Sequence, residues 1–170
     1  YSDFSGSYSG PEMKLIKTDA HGDLLWSKGY SGCSPSSMKS TTDGGFIITG
    51  GTFSDVFVLK TDANGDQIWF KTYGGTASAS EGASEIEVTT GGGYVFSGTI
   101  GNNTLDGYIL LTKINGSGEV TWSKIFGGGK EQYSYAHQTK DNGFIIASQT
   151  FSFGAGGSDI YLIKTDDNGN

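Results

Sequence analysis

Residues 43–75 read DGGFIITGGTFSDVFVLKTDANGDQIWFKTYGG. Three short β-prone runs stand out, separated by turn residues. Phe46-Ile47-Ile48-Thr49 follows the turn Gly44-Gly45. Val56-Phe57-Val58-Leu59 is apolar at every position, which predicts a strand covered on both faces. Gln67-Ile68-Trp69-Phe70-Lys71 is the third. A fourth run, Glu85-Ile86-Glu87-Val88-Thr89, alternates, so that Ile86 and Val88 point one way and the two glutamates the other. Its polar face predicts an outer, water-facing edge that closes the unit.

The unit recurs along the chain. The turn Asp62-Ala63-Asn64-Gly65 combines an aspartate suited to an Asx-type turn with residues that tolerate positive φ. It returns as Asp19-Ala20-His21-Gly22, Asn115-Gly116-Ser117-Gly118 and Asp166-Asp167-Asn168-Gly169. A lysine precedes each turn: Lys17, Lys60, Lys113 and Lys164, at intervals of 43, 53 and 51 residues. Trp26, Trp69 and Trp122 follow three of the turns, at intervals of 43 and 53. The entry to the first strand recurs as Asp43-Gly44-Gly45-Phe46, Gly91-Gly92-Gly93-Tyr94 and Asp141-Asn142-Gly143-Phe144. Four short strands repeating at roughly 50 residues predict an all-β fold of antiparallel β-propeller blades. A sandwich does not repeat internally, and solenoid coils are usually shorter.

The expected divisions are a partial blade over 1–42, blades over 43–90 and 91–140, and a partial blade over 141–170. Residues 1–10, YSDFSGSYSG, resemble the loop FSFGAGGS at 151–158, so the sequence starts inside a blade. It also stops inside one. The expectation is therefore a segment of a larger propeller, either a piece of a longer chain or a protomer completed by another copy.

Composition narrows the function. The net charge is −7, and all eleven basic residues are lysine. Without arginine forks or a basic patch, nucleic acid and anionic membrane surfaces are poor partners. No apolar run reaches the ~18 residues a spanning helix requires, so no membrane insertion is expected.

The patterns D-G-G-F-I-I-T-G, D-V-F-V-L-K-T-D-A-N-G-D and I-W-F-K-T-Y-G-G resemble the repeat of secreted bacterial and archaeal propeller proteins. They are also similar to quinoprotein-type (PQQ-like) repeats, on Lys60-Thr61-Asp62 with Gly65 and Trp69 and on Lys17-Thr18-Asp19 with Gly22 and Trp26. The third copy departs, with Lys113-Ile114-Asn115. The resemblance implies an extracellular or cell-surface location, although no signal peptide is visible. It also implies that Trp26, Trp69 and Trp122 pack between blades, with Gly22, Gly65, Gly118 and Gly169 as turn residues. It brings no calcium site or quinone pocket motif with it.

Chemistry-bearing residues are sparse. His21 replaces Asn64 in a turn and reads as solvated, and His137 reads as an exposed residue of a fourth strand. One cysteine, Cys33, and two histidines fall short of a zinc set. Cys33 reads as a loop or strand-edge residue. Asp62, Asn64 and Asp66 place oxygen donors at alternate positions, but three donors fall short of calcium's six to eight. Sequons stand at Asn102, in an expected long loop, and at Asn115, in a tight turn. Glu81, Glu85, Glu87, Asp106 and Glu131 form no recognisable acid/base pair. Tyr133 and Tyr135 are candidates for stacking on a sugar.

The sequence thus predicts a non-catalytic extracellular module without a cofactor. Its expected role is protein interaction, adhesion or assembly, with a protein partner or further blades bound. A carbohydrate-binding propeller is the first alternative. A segment of a propeller enzyme, hydrolase or quinoprotein, is the second.

Overall fold

The structure is a computed structural model that describes residues 12–74, 80–103 and 106–170. Those residues form an all-β architecture of thirteen strands in four antiparallel sheets, with no helix among them. The first sheet pairs β1 (Glu12–Thr18) with β2 (Leu24–Ser31). The second orders β3 (Ser34–Ser40), β4 (Phe46–Gly51), β5 (Val56–Thr61) and β6 (Gln67–Tyr73). The third orders β7 (Ser80–Val88), β8 (Tyr94–Asn103), β9 (Asp106–Ile114) and β10 (Val120–Phe126). The fourth orders β11 (Glu131–Gln138), β12 (Phe144–Thr150) and β13 (Asp159–Thr165). Every connection within a sheet is a hairpin between sequence neighbours. Residues 1–10, matched above to the 151–158 loop, lie outside the description.

The sheets stack face to face in sequence order, and each joint has its own apolar core. Met13 and Leu15 of the first sheet meet Ile48, Phe57 and Leu59 of the second. Ile47, Val56 and Val58 on the other face of the second meet Ile86, Tyr94, Phe96 and Leu110 of the third. Val95, Ile109 and Leu111 of the third meet Ala136, Phe144 and Ile146 of the fourth. Neighbouring side chains along β5 therefore belong to different cores, and all six of its residues are buried. This matches the uninterrupted apolar run read from the sequence, since a strand with protein on both faces has no solvated side to mark with polar residues.

One assignment is corrected. Glu85–Thr89 does not close the sheet that begins near Phe46. The strand containing it, β7, pairs with the strand that follows, with Ile86 opposite Phe96 and Val88 opposite Tyr94. Sheet boundaries accordingly fall at 34–73, 80–126 and 131–165. Nor is β7 an outer edge. It lies beside β3 and β4 of the preceding sheet and β11 of the following one. Its glutamates are partly covered and paired: Glu85 and Glu87 receive Lys39 at 3.4 and 3.8 Å, and Glu87 receives His137 at 2.8 Å. His137 likewise opens the fourth sheet, in β11, rather than ending the third.

The opening strands share a further mark. Register shifts fall between Pro35 and Ser37 in β3, between Ala83 and Glu85 in β7, and between Gln132 and Ser134 in β11. An extra residue at one point of each opening strand bends it locally. Beyond the bend in β11, the buried hydroxyl of Ser134 donates to the Gly98 carbonyl at 2.6 Å, and that of Ser97 donates back to the Ser134 carbonyl at 2.8 Å.

Phe96 is fully buried in the middle joint and packs on Tyr73 at a ring distance of 5.1 Å. Phe96→Ala removes that filling and leaves a cavity. The expected loss is about 3–5 kcal/mol in urea unfolding. A loss below about 1 kcal/mol would contradict the packing described.

Candidate functional site

The residues singled out in the sequence converge on one recurring device, the joint between successive sheets. Each turn of the Asp-x-Asn-Gly type is built the same way. The Asp62 carboxylate accepts the N–H groups of Asn64 and Asp66, both at 2.8 Å, and Gly65 N–H donates to the Asp62 carbonyl at 3.2 Å. Asp19, Asn115 and Asp166 do the same for their own turns. The turn glycines sit at φ of 91°, 76°, 78° and 77° at Gly22, Gly65, Gly118 and Gly169. That left-handed backbone favours glycine.

A second reason for glycine lies in the sheet before. A Cβ on Gly65 would stand 2.8 Å from the six-membered ring of Trp26. One on Gly118 would stand 3.2 Å from Trp69, and one on Gly169 would stand 3.0 Å from Trp122. Each tryptophan thus lies on the bare turn of the next sheet. The lysine two residues on reaches the same turn: Lys28 meets Asp66 at 2.6 Å, Lys71 meets Glu119, and Lys124 meets Asn170 at 3.0 Å. The tyrosine two residues further hydrogen-bonds the turn glycine's carbonyl, Tyr30 to Gly65 and Tyr73 to Gly118, the latter at 2.8 Å. Burial pushes both phenols up, with the carboxylates of Asp66 and Glu119 adding to it, so they stay protonated donors.

The plug is therefore Trp-x-Lys-x-Tyr, at Trp26-Lys28-Tyr30 and Trp69-Lys71-Tyr73, with Phe126 in the tyrosine position after Trp122-Lys124. Trp26, Trp69 and Trp122 each lie against the turn glycine of the following sheet. The sequence reading does not reach the lysine and tyrosine positions, although they recur at the same intervals as the tryptophans. Exposed ion pairs contribute under about 1 kcal/mol each. Covering half of an indole contributes about 2–3 kcal/mol at ~25 cal/mol/Å². The ring holds the joint, and the lysine and tyrosine set its register.

A second clamp works within sheets. Lys60, buried in its side chain, meets Asp43 at 2.8 Å and the Thr61 carbonyl at 2.8 Å. Lys164 meets Asp141 at 2.9 Å in the same way. The lysine and threonine hydrogen bonds hold Asp43 well below the usual carboxylate range, and the threonine and lysine bonds do so for Asp141. A Cβ on Gly45 would stand 2.1 Å from the Thr61 carbonyl oxygen, so the clamp and the Gly-Gly entry require each other. Where Gly91 replaces the aspartate, Lys113 turns to Asp167 of the next sheet at 2.5 Å.

Two of the three calcium candidates, Asp62 and Asp66, have partners of their own in these contacts, and Asn64 donates its N–H to Asp62. Asp62 caps its own turn and Asp66 pairs with Lys28, and no cluster of three metal-ligating side chains occurs among the described residues. Glu131 is buried. Burial would raise its pKa, but the N–H groups of Gly128 and Gly129 and the hydroxyls of Ser152 and Thr150 outweigh that and hold it below its ordinary value. It is a fixed anion capping the 127–130 turn, unsuited to donating a proton. The side chains of Glu81 and Asp106 lie outside the description. Cys33 sits between β2 and β3, buried in the first joint, and burial raises its thiol pKa, which leaves it a packing residue. His21 is exposed. Asn115 caps its turn through its side-chain oxygen. Asn102 lies near the end of β8 rather than in a long loop, because β8 and β9 form a hairpin with Asn103 opposite Asp106. Its side chain is outside the description.

No protein-family model matches the chain, and no curated protein matches it.

Gly65→Ala combines a strained φ with a collision against Trp26, whereas Gly22→Ala meets only the strained φ. The expected loss on unfolding is at least about 1 kcal/mol larger for Gly65→Ala. Equal losses would mean that the tryptophan does not rest on the turn. The depressed carboxylates also set an acid limit. Their contribution is complete above the unfolded aspartate value, about 4, and drains away as pH falls below it toward the folded value. Thermal unfolding should therefore be flat between roughly pH 5 and 8 and fall below about pH 4, and Asp43→Asn should flatten that fall.

Proposed function

We propose that this chain is a non-catalytic β-propeller module acting in protein interaction and assembly outside the cell or at its surface. The observation that carries the reading is the joint. One plug-and-turn device recurs three times, and it commits Trp, Lys and Tyr side chains and the turn carboxylates of Asp66 and Glu119 to contacts between sheets. The stacking order, with β3, β7 and β11 side by side and four-stranded antiparallel units around them, supports a propeller arrangement. Abundant glycine, low charge density and absent arginine support a surface built for protein contact.

Carbohydrate binding is the second reading, and one feature favours it. An open cleft of about 490 Å³ on the outer face of the fourth sheet is lined by Tyr133, Tyr135, Gln149, Ser158, Asp159 and Ile160. Tyr133 and Tyr135 are more than half exposed there. Against it, Ile160 and Leu162 occupy the positions of Val56 and Val58, which the next sheet covers in the second joint. A protein surface is the better match for that face.

Light scattering across a concentration series, paired with a glycan array, separates the two. The assembly reading expects masses at multiples of 17.9 kDa that rise with concentration, and no retained glycan. A 17.9 kDa species at every concentration, with saturable glycan binding lost in Tyr135→Ala, would establish the carbohydrate reading instead.

A further inference from the structure

Three of the four turns are filled sockets. The fourth, Asp19–Asp23, is built to the same plan. Asp19 accepts the N–H groups of His21 and Asp23 at 2.8 and 3.0 Å, and Gly22 N–H donates to the Asp19 carbonyl at 3.2 Å. Gly22 presents its bare face and carbonyl as Gly65 does, and Asp23 stands where Asp66 receives Lys28. Yet among the described residues nothing lies within 4 Å of the point where a Gly22 Cβ would stand. Around it Leu24 and Leu25 are 65 % and 57 % exposed.

We infer that the Asp19–Asp23 turn is a binding site for a β-strand carrying Trp-x-Lys-x-Tyr. The filled sockets define the ligand atom by atom. An indole covers the glycine, an ammonium two residues on meets the carboxylate of Asp23, and a phenol two residues further donates to the Gly22 carbonyl. The carboxylate and the carbonyl are both acceptors, so an acidic or apolar residue in the middle position is a poor match. The two strands in this chain that carry the full pattern, β2 and β6, and the variant β10 with Phe126 in the tyrosine position, are engaged on turns of their own. The occupant is therefore a strand from outside these 170 residues, presented by a partner sheet of the same repeat. This rests on the reading of the chain as an assembly module and names the partner's recognition element.

The probe is a cyclised hairpin copying Val56–Tyr73, its fold verified by cross-strand contacts between Leu59 and Phe70. It is titrated into the ¹⁵N-labelled chain. The expected result is a saturable shift of the Gly22 and Asp23 amides, abolished when the hairpin carries Trp69→Ala. Asp23→Lys in the chain should weaken it about fivefold or more, as expected for a lost ion pair replaced by repulsion. Unmoved amides at saturating hairpin, or shifts indifferent to Trp69→Ala, overturn the assignment. If the chain self-associates while Gly22 stays unmoved, the socket fails and the assembly reading stands. If the chain is monomeric and the hairpin shifts Gly22, the socket stands by itself.

Discussion

The structure depends on an indole laid across a glycine turn. A four-stranded antiparallel sheet with two apolar faces cannot stand alone in water, because both faces must be covered. Here the second and third sheets are covered on both faces by their sequence neighbours and the first and fourth on one, and the stacking offset is fixed where a tryptophan on one sheet meets the turn of the next. Apolar faces alone would slide, since burial is non-directional. The lysine and the tyrosine phenol supply direction. They reach a carboxylate and a carbonyl that exist at only one point of the turn.

The turn serves two masters, which explains its narrow chemistry. Inside its own hairpin it needs an Asp or Asn to collect two N–H groups and a glycine at positive φ. For the preceding sheet it must have no side chain where the indole rests. Glycine satisfies both demands, so Gly65, Gly118 and Gly169 recur while the residue before each varies among Asn64, Ser117 and Asn168. The same economy appears at Gly91. Losing the aspartate there frees Lys113 from its own sheet, and it pairs with the next turn at Asp167.

Strand identity is legible in the sequence because β-prone runs and Asp-x-Asn-Gly turns are local signals. Phe46–Thr49, Val56–Leu59 and Gln67–Lys71 each fall inside a strand of the structure. Pairing is less legible. Glu85–Thr89 lies between two Gly-rich segments, and alternation cannot tell which one is the hairpin. The discriminating signal is a threonine: Thr41, Thr89 and Thr139 each open a tight turn closed at Gly45, Gly93 and Gly143. The polar face of β7 misleads for a related reason. Glu85 and Glu87 are polar because Lys39 and His137 face them from neighbouring sheets, not because water does. The tryptophans are visible as a period, but their targets, more than 35 residues away, are not, since spacing carries no information about which turn an aromatic ring covers.

The most direct measurement is nuclear Overhauser contact between the outer ring protons of each tryptophan and the α-protons of the turn glycines. The account predicts cross-peaks for Trp26 with Gly65, Trp69 with Gly118 and Trp122 with Gly169, and none from these tryptophans to Gly22. Tryptophan rings that show no contact with the following turn, or that contact Gly22 equally, would contradict it.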